Sequence, residues 1–384
     1  MKIAIVNARI VTSERVIEGG SLSFENGIIT SVGEAPEKAD RWIDAAGKYL
    51  VPGFVDLHCH GCLGYAFNDA DMRKTEEIAR FHLSHGTTTM LASTSTAHLP
   101  QLEAALSVLS SHIETSEKTP IAGIFMEGPW LSTASAGAQS ASMMRAPSAE
   151  DVRYLKEKYP HILRLGVAPE EEGGMEMGRE GKARGILMSA AHTAATFSEI
   201  EQAFENGYKL LTHFYCAMKG VERKNAYRIA GAVEAGFYLD DMFVEIIADG
   251  KHLPEALLRL VYKIKGADRV CLVTDATRAA GLADGSITKT VGGLSEVLVE
   301  DGVAKMPDRS CFAGSAATAD RLYRTMADAI GRDMVALSRM ASLTPARLMG
   351  WEDRGEIVVG KRADLVLLDE NLYPQSVFLS GAAI

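Results

Sequence analysis

Cysteine is scarce in this sequence and forms no pattern. Five cysteines among 384 residues stand at 59, 62, 216, 271 and 311. An odd count at irregular spacing offers no disulfide framework and suits a reducing compartment. The one close pair, in "HCHGC", has no second pair with which to build a thiolate zinc site. Positive charge is also in deficit: 40 Lys and Arg against 50 Asp and Glu leave a net charge of -10. That argues against a nucleic-acid or anionic-membrane partner, both of which need a basic face. No apolar run approaches the length of a membrane span. The N-terminal "MKIAIVNARIV" alternates like a strand and lacks a signal peptide's long apolar segment and small-residue cleavage site. The expectation is a cytoplasmic globular protein.

What is abundant is apolar residue, at 47% of the chain. The length suits one large domain plus something smaller. The first fifty or so residues read as short strands with glycine turns ("KIAIVNARIV", "GGSLSFENGIITSVG"), and so do the last thirty or so ("GEIVVGKRADLVLLD", "QSVFLSGAA"). Residues 1–51 and 352–384 are therefore expected to form one small β-sandwich domain together. Between them, over 52–351, apolar strands alternate with helical segments, the pattern of βα units around a parallel sheet. Eight candidate strands are present: "GFVDLHCH", "TTTMLAST", "IAGIFMEGP", "ILRLGVAPE", "GILMSAAHT", "KLLTHFYCAM", "FVEIIADGKH" and "RVCLVTDAT". Segments such as "DMRKTEEIARFHLSHG" and "SEIEQAFENGY" supply amphipathic helices between them. The fold class expected is α/β, a (β/α)₈ barrel. A doubly wound sheet is the alternative, but no glycine-rich phosphate turn follows the first strand.

The strand ends carry the chemistry. In a strand His58 and His60 point the same way while Cys59 points away. The third strand ends in Glu127, the fourth in Glu170, the fifth in His192 and the sixth in His213. The seventh gives Asp249 and His252, and the eighth Asp275. A barrel gathers all these ends on one face. His82 and His85, mid-helix, and His98, His112 and His161, in loops or at helix ends, are read as structural. Imidazole and carboxylate ligands without thiolate suit zinc, iron or manganese at a site left open for water. Such a metal makes hydroxide available near neutral pH. Asp275, in "LVTDAT", is the candidate for moving the proton to the leaving group.

The motifs "LVPGFVDLHCHG", "GIFMEGPWL", "AAHTAAT", "LLTHFYCAM", "IADGKH", "CLVTDAT", "FAGSA" and "GEIVVGKRADLVLLD" together resemble the N-acetylglucosamine-6-phosphate deacetylases of the amidohydrolase superfamily. The resemblance runs from about residue 50 to the C-terminus. It implies metal ligation by Glu127, His192 and His213, with Asp275 as catalytic acid/base. His58 and His60 match a histidine pair that some members use for a second metal, so one or two divalent ions per chain are implied. Glu127 takes the bridging position, and no modified lysine is needed. His252 matches a substrate contact. The backbone of Ala138 and Gln139, of Cys216 and Ala217, and of Phe312, Ala313 and Gly314 matches segments lining a sugar pocket.

The sequence also departs from that pattern. Cys216 stands where the family usually has asparagine, and Gln139 where it often has histidine. The family's run containing an arginine that reaches a neighbouring subunit's phosphate is replaced by "KGVERKNAYRIAG". Lys224, Arg223 and Arg228 are the substitutes expected to recognise phosphate, and a loop reaching across an interface implies a homodimer. The reading that follows is hydrolysis of an N-acetylhexosamine 6-phosphate to the amine and acetate. Another amidohydrolase reaction, on a related amino sugar or a different amide, is the alternative. A non-catalytic barrel is disfavoured because every expected ligand is present.

Overall fold

The computed structural model describes residues 1–384. All eight expected strands form: β1 (Phe54–Cys59), β2 (Thr87–Thr94), β3 (Ile121–Glu127), β4 (Ile162–Val167), β5 (Leu187–Ala190), β6 (Tyr208–Leu211), β7 (Phe243–Ile246) and β8 (Val270–Leu272). They pair in parallel in chain order from β1 to β8. A doubly wound sheet would reverse its order part-way, so that alternative is excluded. Every residue of β1 and β2 is buried, as expected of strands covered on both faces.

The barrel closes differently from how it propagates. β1 and β8 share no ladder; they join just past their ends, where the amide of Asp275 donates to the carbonyl of His58 (2.8 Å) and that of His60 to Ala276 (2.8 Å). The buried carboxylate of Asp56 reinforces this seam, accepting from the Thr274 hydroxyl at 2.6 Å.

The helices cover the barrel with their apolar stripes. In Met72–Ser84, Asp71 caps the N-terminus by accepting from the Lys74 amide (3.0 Å), and Ile78, Ala79 and Leu83 face inward. A cluster of 64 buried residues joins helices to strands, each large aliphatic side chain in it contributing about 1.5–3 kcal/mol by its burial. No helix is long and apolar enough to cross a membrane.

The two ends of the chain do come together. Tyr49–Pro52 pairs antiparallel with Leu365–Leu368, so that N- and C-terminal strands form one continuous eight-stranded sheet. Its own core of 14 buried residues includes Ile5, Ile10, Leu22, Phe24, Leu365 and Phe378. Three small pieces lie outside the expected elements, the first a short pairing of Gly61–Cys62 with Tyr65–Ala66 after β1. A hairpin pairs Glu222–Lys224 with Tyr227–Ile229 after β6. After β8, a three-stranded sheet (Ile287–Lys289, Glu296–Glu300, Val303–Lys305) precedes the eighth covering helix, Ala319–Ala329.

Candidate metal centre and its cavity

Only His58 and Glu127 of the polar cluster lie within strands. His60 follows β1 directly, while His192, His213 and Asp275 lie beyond β5, β6 and β8 in the left-handed region, with φ of 43°, 32° and 46°. Such backbone costs of order 1–3 kcal/mol per residue and persists only where the surroundings enforce it. Here they do: the carbonyl of His192 accepts from Ser132 (3.0 Å), that of His213 from Cys216 (2.8 Å) and that of Asp275 from Ser315 (2.8 Å). Each turn swings a side chain from the strand axis into the mouth of the barrel.

Glu127 is the hub. Its Oε1 lies 2.9 Å from Nε2 of His213, 3.3 Å from that of His192 and 3.6 Å from that of His58. Its Oε2 lies 3.3 Å from Nε2 of His60. Asp275 Oδ1 is 3.4 Å from Nε2 of both His58 and His60. The Nδ1 atoms of three of these rings face backbone carbonyls, of Ser93 for His60 (3.0 Å), Ser135 for His192 (3.0 Å) and Cys216 for His213 (3.1 Å). A proton held on Nδ1 leaves Nε2 as the atom aimed at the centre, the arrangement of a metal-ligating histidine.

Charge balance tells the same story. Burial alone would lower the pKa of His58, but the carboxylates of Glu127 and Asp275 outweigh it and raise it to about 10. His60 and His192 are raised too, against burial, by Asp275 and by Glu127 respectively. Glu127 is held well below the usual carboxylate range, burial being overcome by His58 and His192, and Asp275 is lowered by His58. The cluster therefore favours positive charge at its centre. His58, His60 and Glu127 form one set, and Glu127, His192 and His213 another, with ligand atoms within 4.8 Å of one another in each. Both sets hold only nitrogen and carboxylate oxygen donors and fit a divalent metal such as zinc, iron or manganese; Cys59 turns away, its sulfur meeting His82.

Above the cluster opens a cavity of about 560 Å³, within the range of small-molecule sites. Ala138, Gln139, Cys216, Ala217, His252 and the Phe312–Gly314 segment all line it. Gly314, at φ 66°, passes so close to Thr277 that a Cβ would collide with it. His252 presents its ring beside Phe312 (4.7 Å between centroids). Asp249 is not drawn into the cluster: it accepts from Nδ1 of His252 (2.9 Å) and from two amides, and so orients that ring. Glu170 also stays outside, accepting from Thr193 and Ala194 (both 2.5 Å) and thereby fixing the turn after His192.

Arg223, Lys224 and Arg228 are not brought to the cavity. They stand exposed on the hairpin, Arg223 directly opposite Arg228, and no lysine or arginine lines the cavity at all. Two like charges facing each other across a hairpin repel, which leaves this edge suited to an anion. His82, His85, His98, His112 and His161 lie outside the cavity lining.

One contact escaped the sequence reading. Gln139 is reached through its backbone in the family pattern, yet here its side chain also acts. Its Oε1 accepts from the Thr96 amide (3.0 Å) and the Ser95 hydroxyl (2.6 Å), which fixes Nε2 as the donor to Glu127 Oε2 at 2.7 Å. The amide thus clamps the second oxygen of the hub carboxylate. The departure from histidine at 139 was the available signal.

The amidohydrolase family model matches residues 49–383. Among curated proteins, N-acetylgalactosamine-6-phosphate deacetylase of Escherichia coli O157:H7 is 29% identical over 376 residues, covering 97% of each chain. N-acetylglucosamine-6-phosphate deacetylase of Bacillus subtilis (strain 168) is 30% identical over 377 residues, covering 96% of this chain and 93% of the relative. Among solved structures, a mutant N-acetyl-D-glucosamine-6-phosphate deacetylase from Mycobacterium smegmatis in complex with N-acetyl-D-glucosamine-6-phosphate superposes with a TM-score of 0.91 at 30% identity, covering 100% of this chain and 99% of the other.

Proposed function

The chain belongs to the amidohydrolase family, and from that premise we propose that it is a metal-dependent deacetylase of an N-acetylhexosamine 6-phosphate, N-acetylglucosamine 6-phosphate first among them. The observation that carries the reading is the cluster itself: four imidazoles and two carboxylates, one of them shared by both candidate ligand sets, at the floor of a sugar-sized cavity. Glu127, His192 and His213 would hold one divalent ion, and His58 with His60 and Glu127 a second. When bound, the metal supplies a Lewis acid that acidifies water and polarises the acetyl carbonyl.

The chain's own residues do the rest. Asp275, 3.4 Å from Nε2 of both His58 and His60, takes the proton of the attacking water and returns it to the amine nitrogen as the C–N bond breaks, releasing acetate and the amino sugar. His252, held by Asp249 and flanked by Phe312, orients the sugar. Gln139 keeps Glu127 from rotating. We assign the catalytic unit to residues 52–351, with 1–51 and 352–384 as the small domain.

The phosphate is assigned to the basic hairpin, with Arg223, Lys224 or Arg228 reaching the cavity of a second copy in a homodimer. The absence of any cation from the lining of the chain's own cavity supports this. Cysteine usage supports a cytoplasmic location.

The test is acetate release from purified protein of measured metal content. The panel comprises N-acetylglucosamine and N-acetylgalactosamine, each with and without a 6-phosphate. Turnover of a phosphorylated sugar that a chelator abolishes and added metal restores is expected. No turnover of any of the four by metal-replete protein would refute the proposal.

A further inference from the structure

Two opposite charges lie wholly buried inside the barrel and have no part in the chemistry described so far. Arg164, in β4, and Glu245, in β7, are both fully inaccessible. Their side chains form a two-pronged ion pair, Nη1 to Oε1 and Nη2 to Oε2 (2.8 Å for the latter). Desolvating both charges costs about as much as their attraction returns, so a buried pair of this kind is a poor source of stability. Its placement points to another role.

Every N–H of the Arg164 guanidinium is used. Beyond Glu245 it donates to the carbonyl of Leu57 (3.0 Å), the hydroxyl of Ser189 (3.1 Å) and the hydroxyl of Thr212 (2.9 Å). Leu57 precedes His58, Thr212 precedes His213, and Ser189 lies three residues before His192. The guanidinium also rests on the ring of Phe125, 3.7 Å from its centroid, two residues before Glu127. One planar cation thus ties together the strands that carry four of the cluster's residues.

Glu245 extends the chain of contacts to the cluster. Its Oε2 lies 3.7 Å from Nδ1 of His58, longer than a hydrogen bond but within ion-pair range. Among the four histidines, His58 alone has no backbone carbonyl at Nδ1; that buried atom has no hydrogen-bond partner. Glu245 stands where the carbonyls of Ser93, Ser135 and Cys216 stand for the other three rings.

We propose that Arg164 and Glu245 are positioning residues of the metal centre. Glu245 keeps the proton of His58 on Nδ1 and so turns Nε2 towards the cluster, while Arg164 fixes Glu245 and the ligand-bearing strands. The proposal rests on the reading of His58 as a ligand. Carboxylate–histidine pairs of this kind set the ring's orientation and tautomer, and their loss costs about 10–100-fold in metal affinity.

The test is chelator-competition titration of the full chain with zinc and with manganese, thermal unfolding being followed in parallel. Glu245→Gln is expected to weaken the more labile ion about 10–100-fold. Combined with His58→Asn, it should cost no more than His58→Asn alone, because both act on one ligand. Additive losses, or wild-type affinity in a folded Glu245→Gln chain, would overturn the proposal. If Glu245→Gln fails to fold because Arg164 loses its anion, the double variant Arg164→Met/Glu245→Leu decides. It should fold and retain the weakened affinity; wild-type affinity, or failure to fold, would assign the couple to folding alone and overturn the proposal. A wild-type chain that takes up no divalent metal would overturn the metal reading itself and this proposal with it.

Discussion

Replacing Asp275 by asparagine is the sharpest perturbation of the proposed chemistry, and the backbone makes it a clean one. Asp275 sits at φ 46°, a left-handed conformation that asparagine tolerates as well as aspartate. Its amide and carbonyl are fixed by His58 and Ser315, so Asp275→Asn should change neither the turn nor the seam. What is lost is a carboxylate oxygen 3.4 Å from two ligand nitrogens and with it both proton transfers. General acid–base catalysis is worth about 10²–10⁴-fold, and losing the group that acts twice should fall near the top of that range. We expect kcat to drop by at least about 10³-fold, roughly 4 kcal/mol of barrier, with KM within about threefold and the Glu127–His192–His213 ion retained. Steady-state acetate release and metal analysis on the same preparation read both quantities. A kcat within tenfold of wild type, or metal lost in proportion to activity, would refute the shuttle.

Three further outcomes follow from contacts described above. Gln139→Ala removes a donor to a buried carboxylate and strands the Thr96 amide, which should lower kcat and destabilise the chain by about 2–3 kcal/mol; unchanged kcat would remove Gln139 from the site. Neutralising Arg223, Lys224 and Arg228 together should raise KM about tenfold or more for the phosphorylated sugar only, and an equal rise for the unphosphorylated sugar would count against phosphate recognition. Asp320, buried and in contact with His85 and Arg324, has a carboxyl that burial would raise but that these partners hold at about 2. Its folded value lies below the unfolded one, so its contribution, of order 2 kcal/mol, is present above about pH 4 and disappears as pH falls towards 2. Urea unfolding of Asp320→Asn against wild type should show that gap at pH 7 and a narrowing one below pH 4; a gap constant with pH would contradict the assignment.

Much of the site could be read from the strand ends because a barrel brings every strand's C-terminus to one rim. His58, His60, Glu127, His192, His213 and Asp275 obey that rule. Glu170 and Asp249 obey it in position only: they reach the rim and serve the turns and ring beside them, a distinction of a few ångströms that spacing cannot express. Gln139 was legible as a pocket position, while its clamp on Glu127 depends on a loop whose path no periodicity dictates. Arg164 and Glu245 did leave a trace, a charge of each sign inside "ILRLGV" and "FVEI", where a buried parallel strand should be apolar throughout. Their pairing across the barrel is non-local and appears only once β4 and β7 face each other. The hairpin after β6 and the small sheet after β8 went unseen because each strand is three to five residues long, too short for alternation to register.

The seam between β1 and β8 carries a consequence for the whole barrel. Seven of its eight strand junctions are ladders; the eighth is a few hydrogen bonds made at His58 and His60, which would grip the ion, and at Asp275, which would move the proton. A barrel that breathes will part there first, and parting there pulls the two halves of the site away from each other. Any ligand that holds them together is also a rivet through the weakest join, and binds only the closed form. Loading the site should therefore slow hydrogen exchange at the amides of His60, Gly61 and Asp275 and raise the melting temperature of the entire chain, so that catalytic readiness and mechanical closure are one equilibrium.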